Sequence, residues 1–436
     1  MPEKTPLESW IAQKIGLRNG ELTREEIADY QLRKLRETLR WARSHSPFYK
    51  RRLSTVSEGE PASFAAFESI PFTDTADLQQ HGVQFLCVPQ GDIDRVVTLE
   101  SSGTCGAPKR VFFTAADQEL TVDFFCVGMS QLVKSGQSVL IALPFARPGS
   151  VGDLLATAVR RLGVRPVLCG PVTDSVRTIE IMKREQVECV VGLPVEILSL
   201  VRTSERDVPS RFLNNVLLCS DHVSDSIVHA IRAKWGCEVF EHYGMTEMGL
   251  GGGVDCETHA GYHLREADLY LEIIDPESGA PLPAGETGEI VVTTLTRQGM
   301  PFIRYRTGDL SRWLPDSCPC GTVLLRLDRV RGRKQYRASG PHRGITIAIL
   351  DEALFALPEV RDFSAYVDGV RPSKLIITVY GSGKRGNLQE KTREALDRVP
   401  EIYLAQKSGE LQLFVNAAER VASTRTGKRG IGERVA

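Results

Sequence analysis

What this chain of 436 residues lacks narrows the possibilities first. No apolar run is long enough to cross a bilayer. The most apolar stretches are broken within about ten residues, where a spanning helix needs roughly twenty. The N-terminus, MPEKTPLESWIAQKIG, has no apolar core between a basic start and a small-residue cleavage site, so no secretory signal is expected. An excess of one charge is missing too. Lys and Arg total 54 against 55 Asp and Glu, a formal net charge of −1, which argues against general electrostatic attraction to nucleic acid or membrane. Internal repeats and low-complexity segments are absent. The expectation is a cytoplasmic globular protein, and the length suits two or three domains with a sizeable core.

Cysteine is not scarce, and nine of the ten residues fall into two groups by placement. Cys87, Cys126, Cys169, Cys189, Cys219 and Cys237 lie singly among apolar residues, where a free thiol behaves as a small hydrophobe. Cys256, Cys318 and Cys320 sit in loops rich in Gly, Pro and Asp. In a cytoplasmic protein that placement suggests a metal more than a disulfide. Three exposed loop thiols with no metal are the alternative.

The pattern along the chain predicts an α/β fold. Residues 24–44, REEIADYQLRKLRETLRWARS, have helical apolar spacing with charges on the other face, and such a helix offers a dimer contact. From about 95 to 300, short apolar runs (SVLIALPF, VRPVLCG, VECVVGLP, NNVLLCS, CEVFEHYG) alternate with helical stretches. That alternation marks mostly parallel sheets flanked by helices. After about 265 the texture turns β-rich, and the last hundred residues read as a small α+β unit. The expected division is a large N-terminal domain, 1–333, with a β-rich subdomain, and a small mobile α+β C-terminal domain, 334–436.

Four stretches carry candidate chemistry. LESSGTCGAPKR, residues 99–110, offers backbone N–H groups and hydroxyls from Ser101, Ser102, Gly103, Thr104 and Gly106, with Lys109 adding positive charge for a phosphate. It is not a Walker A loop, because the GxxxxGK(S/T) spacing is absent, and a polar turn between strands would look much the same. EHYGMTEMG ends a predicted strand at the sheet edge where ligands of open α/β sheets bind. There Tyr243 has a flat face for a base, Thr246 a hydroxyl and Glu247 a carboxylate suited to Mg²⁺. In YRTGDL, Asp309 follows a turn and suits a ribose diol; a plain hairpin is the competing explanation. RVRGRK, residues 329–334, is a basic run of the kind that is ordinarily just solvated.

The order of these stretches is more informative than any one of them. SSGTCGAPK, YGMTE, YRTGDL, a GR-containing hinge and a Lys near the C-terminus together resemble the core motifs of the AMP-forming adenylating enzymes, which include acyl-CoA synthetases, carrier-loading adenylation domains and luciferases. QLRKLRETLRWARSHSPFYKRRL, DSCPCG and RLDRVRGR narrow the resemblance to phenylacetate–CoA ligases. It covers essentially the whole chain.

The resemblance implies roles at particular positions. Residues 101–109, Cys105 included, would cradle the ATP phosphates. Tyr243 would stack on adenine, with Glu241 at the base edge. Thr246 would contact the α-phosphate and Glu247 would hold Mg²⁺. Asp309 and Arg333 would bind the ribose, and Lys428 would bridge carboxylate and nucleotide. The implied activity is ATP-dependent conversion of an aryl or arylacetic acid to its CoA thioester through an acyl-adenylate. A carrier-protein thiol, an amine, coenzyme F390 synthetase-like chemistry and adenylate binding without turnover remain as alternatives. Some relatives look to carry a structural zinc. The likeness of GYH to the family's GLH-like segment puts His263, with His259 the alternative, beside Cys256, Cys318 and Cys320 in a Cys₃His set. There are departures: Cys105 stands where threonine is usual, Lys109 is present where this group often lacks a lysine, and Gln335 occupies the hinge. CSDHVS, residues 219–224, replaces the usual segment beside adenine. Phe145 and Arg147 would suit a polar aromatic acid, although Arg147 facing solvent is the simpler expectation.

Overall fold

A computed structural model describes residues 2–17, 21–54, 61–99, 108–204, 212–330, 332, 344–368, 372–382, 384–418 and 429–434. The chain forms two compact units. The first comprises Met1–Gly136, Pro144–Arg165 and Phe240–Val330; the second, Gln137–Leu143, Pro166–Val239 and Arg331–Ala436.

In the second unit, the strands Ser138–Ala142, Cys189–Gly192 and Asn215–Leu218 run parallel in register, Val139 opposite Cys189 and Cys189 opposite Asn215. These are the apolar runs expected to be strands. Helices Ser175–Glu185, Pro194–Thr203 and Asp225–Trp235 alternate with them, as parallel connections require. Their starts are written in the sequence. Asp174 and Ser224 cap the first and third through their side chains, and Pro194 opens the second.

The C-terminal residues of this unit form a four-stranded mixed sheet. Val360–Asp368 and Ser373–Gly381 are antiparallel, and Leu411–Ala418 and Ile431–Arg434 run parallel to them at either edge. Helices Ile347–Phe355, Arg385–Asp397 and Pro400–Lys407 complete the α+β texture.

In the first unit, helix Pro6–Ile15 is followed by helix Arg24–His45, started by a reciprocal capping box between Thr23 and Glu26. Its apolar stripe, including Ile27, Tyr30, Leu35 and Ala42, is buried within the chain. Gln31 donates to the carbonyls of Glu266 and Leu269 at 2.9 and 3.2 Å. A three-stranded antiparallel sheet follows from Leu269–Ile274, Gly288–Thr294 and Tyr305–Ser311. The strands Tyr262–Leu264, Gly253–Val254 and the end of Glu238–Tyr243 are antiparallel, so the α/β sheet pattern is mixed and not parallel throughout. One apolar core runs from Leu35 and Phe48 through Phe85 and Phe113 to Ile290, Phe302 and Tyr305. No helix among the described residues is long and apolar enough to cross a membrane.

Candidate active site

Lys109 begins the strand Lys109–Phe113, which pairs antiparallel with Arg95–Leu99, so Lys109 lies opposite Leu99. The loop between these strands holds the predicted phosphate contacts Ser101, Ser102, Gly103, Thr104, Cys105 and Gly106, which lie outside the described residues. Thr114 and Asp117 then form a capping box that starts helix Ala115–Ser130. Asp117 also accepts from the backbone N–H groups of Gln298 and Gly299 at 3.1 and 3.2 Å.

Glu247 is carried on the short 3₁₀ turn Thr246–Met248, just past the strand Glu238–Tyr243. Gly249, at φ +78°, closes the turn with its N–H on the Thr246 carbonyl at 3.0 Å. The Glu247 side chain is 1% exposed and forms an ion pair with Lys109. Tyr305 Oη donates to Glu247 Oε1 at 3.2 Å and is itself 3.0 Å from the Thr75 hydroxyl. Burial, then the adjacent Glu247 charge, push the Tyr305 phenol above its ordinary pKa, so it remains a donor. A buried carboxylate is costly without such partners.

Arg297 ties this turn to the loop strand. It donates to the Glu247 carbonyl at 3.1 Å and to the Phe112 carbonyl at 2.6 Å, with its guanidinium 4.2 Å from the Phe113 ring centroid. Burial pulls its pKa down to about 10, still cationic at neutral pH.

Tyr243 and Asp309 meet. Tyr243 Oη donates to Asp309 Oδ2 at 3.2 Å. YRTGDL is thus no plain hairpin but part of the strand Tyr305–Ser311, with a register shift opposite Glu289 and Val291. Gly308, at φ +76°, supplies the left-handed residue within it, and its N–H reaches Glu289 Oε1 at 3.2 Å. Glu241, on the same strand face as Tyr243, accepts from Tyr262 Oη at 3.2 Å and pairs with Arg329. Part of the basic run RVRGRK is therefore engaged with Glu241. Arg333 and Lys428 lie outside the described residues.

The predicted Lys109, Glu241, Tyr243, Thr246, Glu247 and Asp309 all belong to the first unit. Sequence reasoning missed Tyr305, Tyr262, Arg297 and Arg329 as their supports. Tyr305 opens the YRTGDL motif and was the most findable. Arg297 in TRQGMPF carries no local signal of its partners. Arg147 is exposed, as the simpler expectation had it.

The cysteine set also assembles. Ligand atoms of Cys256, His263, Cys318 and Cys320 all lie within 4.8 Å of one another. Cys256 and Cys318 sulfurs are 3.7 Å apart, and Cys320 Sγ is 3.6 Å from His263 Nε2. None of the three thiols is exposed, despite their loop sequences. Burial lowers the His263 pKa to about 4, which keeps the imidazole neutral, the form that binds metal. His259 instead bonds Asp255 at 2.7 Å, which favours His263 as the fourth donor. The donor set fits tetrahedral zinc. The N-terminal helix Pro6–Ile15 is pinned beside this loop, since Glu8 accepts from Thr322 Oγ1 at 2.6 Å and Val323 N at 3.0 Å.

An α/β protein with a buried carboxylate paired to a lysine and a tyrosine bonded to an aspartate has features that suit a nucleotide-using enzyme. The particular family follows from the sequence match. Residues 67–296 match the AMP-binding enzyme family model, and the chain belongs to that family. It is 27% identical over 350 residues to a phenylacetate-coenzyme A ligase of Thermus thermophilus, covering 78% of this chain and 77% of that protein. The corresponding Escherichia coli protein is 28% identical over 320 residues, 71% of each chain. A 2-hydroxyisobutyryl-CoA ligase structure in the postadenylation state, in complex with 2-HIB-AMP, shares the fold. Its TM-score is 0.77 at 21% identity, covering 95% of this chain and 90% of that one.

Proposed function

We propose that this AMP-binding enzyme is an AMP-forming carboxylate–CoA ligase whose substrate is an aryl or arylacetic acid. The observation that carries the reading is the convergence of Lys109, Glu247, Tyr243 and Asp309 in one unit, in a chain similar to phenylacetate-coenzyme A ligases.

In the first half-reaction a carboxylate oxygen attacks the α-phosphorus of ATP, and the bond to pyrophosphate breaks. Two anions must approach, so catalysis is mainly positioning and charge neutralisation. Glu247 would hold Mg²⁺, whose charge would offset that of the phosphates, and Lys109, now paired with Glu247, would serve the phosphates. Thr246 contacts the α-phosphate, and residues 101–106 cradle the phosphate chain. Tyr243 stacks on adenine, Glu241 meets the base edge, and Asp309 with Arg333 binds the ribose. Lys428 bridges carboxylate and nucleotide. In the second half-reaction the CoA thiol attacks the acyl carbon, loses its proton and expels AMP. We assign residues 334–436 as the domain that reorients between the two steps.

Zinc at Cys256, His263, Cys318 and Cys320 is structural in this reading, because all four donor positions come from protein and leave no open coordination site. The test is acid-dependent ATP–pyrophosphate exchange over a panel of aromatic and aliphatic acids, followed by CoA addition. Exchange with an aryl acid and thioester on adding CoA is the expected result. Exchange without thioester moves the acceptor to a carrier thiol or amine. Exchange with no acid overturns the reading.

A further inference from the structure

The turn that carries Glu247 runs into a strained stretch of backbone. Gly249 and Leu250 follow one another in the left-handed region, at φ +78° and +67°. A residue with a Cβ stays in that region only where its surroundings hold it there. The five carbonyls from Met245 to Gly249 all accept hydrogen bonds. Met245 takes the N–H groups of Met248 and Leu250 at 3.1 and 3.0 Å, and Thr246 takes that of Gly249 at 3.0 Å. The turn then ends, and side chains take up the next three carbonyls. Arg297 donates to Glu247 at 3.1 Å, Arg265 to Met248, and Thr121 to Gly249 at 2.8 Å.

These donors come from three places in the sequence. Thr121 lies on the helix Ala115–Ser130, Arg265 just beyond the strand Tyr262–Leu264, and Arg297 beyond the strand Gly288–Thr294. Arg265 is the least expected. It is only 4% exposed, and among the described residues it forms no ion pair. Its guanidinium otherwise meets the Leu120 carbonyl at 3.4 Å and the Phe124 ring, whose centroid is 5.2 Å away. An apolar side chain would fill this place with less desolvation, because carbonyl partners compensate a buried cation less fully than a carboxylate does. Gly249 leaves the room these donors need. A Cβ there would fall 3.1 Å from Arg265 Nη2 and 3.4 Å from Thr121 Oγ1. What the arginine secures is a fixed carbonyl one residue past Glu247.

Glu247 itself suits the ion. Lys109 and Tyr305 both hold Oε1, and among the described residues Oε2 makes no hydrogen bond. A carboxylate oxygen of this kind is the hard donor that Mg²⁺ takes. We propose that Arg265 and Thr121 are positioning residues, which fix the backbone of this turn so that Glu247 presents its carboxylate to Mg²⁺. The inference rests on the ligase reading and names residues outside the motifs on which metal binding depends. Groups that orient a metal ligand from behind change metal affinity by about 10–100-fold when they are lost.

Mn²⁺ binding to the full chain with ATP present, read by electron paramagnetic resonance, tests this without any acid. Arg265→Met should weaken Mn²⁺ binding by about tenfold or more while the number of sites stays the same. With an acid that supports exchange, the Mg²⁺ concentration for half-maximal exchange should rise in step, and the KM for the acid should hold. Arg265→Lys keeps one donor for the Met248 carbonyl and should restore most of the affinity. A packing role alone would lower the melting temperature or the fraction of folded sites, without changing the affinity of those that remain. Where the methionine variant does not fold, Thr121→Val releases the Gly249 carbonyl at constant shape. It should weaken binding by about threefold, the effect of one neutral hydrogen bond. Wild-type affinity in Arg265→Met, or in Thr121→Val where that variant stands in, overturns the inference and leaves the ligase reading standing. Wild-type protein that binds no Mn²⁺ with ATP overturns both.

Discussion

The nucleotide site and the cysteine cluster are both built from first-unit residues, yet they handle ionisable groups in opposite ways. At the nucleotide site each charged group already has a counterpart: Lys109 on Glu247, Tyr243 on Asp309, Arg329 on Glu241. In the cluster, three thiols and a neutral imidazole face one another, and Thr258 is the hydroxyl placed 3.1 and 3.4 Å from Cys256 and Cys318. The first arrangement leaves its charges paired, and under the proposed function those partners would exchange for Mg²⁺ and ATP. The second gathers donors around one point where a cation would sit. Exchange suits catalysis, and convergence on a fixed ion suits architecture.

The largest effect that would sharpen this contrast is loss of chemistry. Glu247→Gln removes the proposed Mg²⁺ ligand and Lys109's partner, and should lower acid-dependent exchange by about 10²–10³-fold, in the range seen when a transition-state charge stabiliser is lost. Its melting temperature should stay close to wild type.

Cys320→Ala should do the reverse. Metal analysis should find zinc lost, with melting lowered by roughly 10 °C or more, since structural metal binding is folding free energy. Exchange measured well below that melting point should persist. If the cysteine variant loses exchange at full stability, the assignment of an architectural role to the cluster breaks.

A smaller change is expected from Tyr243→Phe. It deletes the hydroxyl that bonds Asp309, a loss of about 1 kcal/mol, and should raise the KM for ATP roughly fivefold while leaving kcat within about twofold. The smallest effect concerns pH. The folded-state pKa of His242 is about 4, below its ordinary value of 6.5. The unfolded chain therefore binds more protons between those values. The contribution is fully present above pH 6.5 and is lost as pH falls toward 4. Urea midpoints at pH 7 and 5 should differ less in His242→Leu than in the wild type.

Much of this was legible in the sequence for physical reasons. Apolar runs such as SVLIALPF and VECVVGLP are strands because they are buried on both faces, which leaves a continuous signal. The helix at 24–44 appears as Arg24–His45 because Thr23 and Glu26 mark its start. ELQLFVNAA, by contrast, was not read as a strand, yet Leu411–Ala418 is an edge strand with alternate residues exposed. The motifs pointed to Lys109, Tyr243, Glu247 and Asp309, but not to the residues that hold them. Arg297 reaches Phe112 and Glu247 across 185 and 50 residues of sequence, a distance over which local pattern carries no information. The burial of Cys318 and Cys320 was likewise invisible, because a loop rich in Asp, Pro and Gly reads as solvent-facing until Cys256 and His263 are brought against it.

The most direct test of the central claim is product identification in one reaction: protein, MgATP, CoA and an aryl acid that supports exchange, followed by mass spectrometry. The account predicts acyl-CoA, AMP and pyrophosphate in equal amounts, with AMP formation strictly dependent on the acid. ADP as the nucleotide product, or AMP released at the same rate without acid, would contradict it.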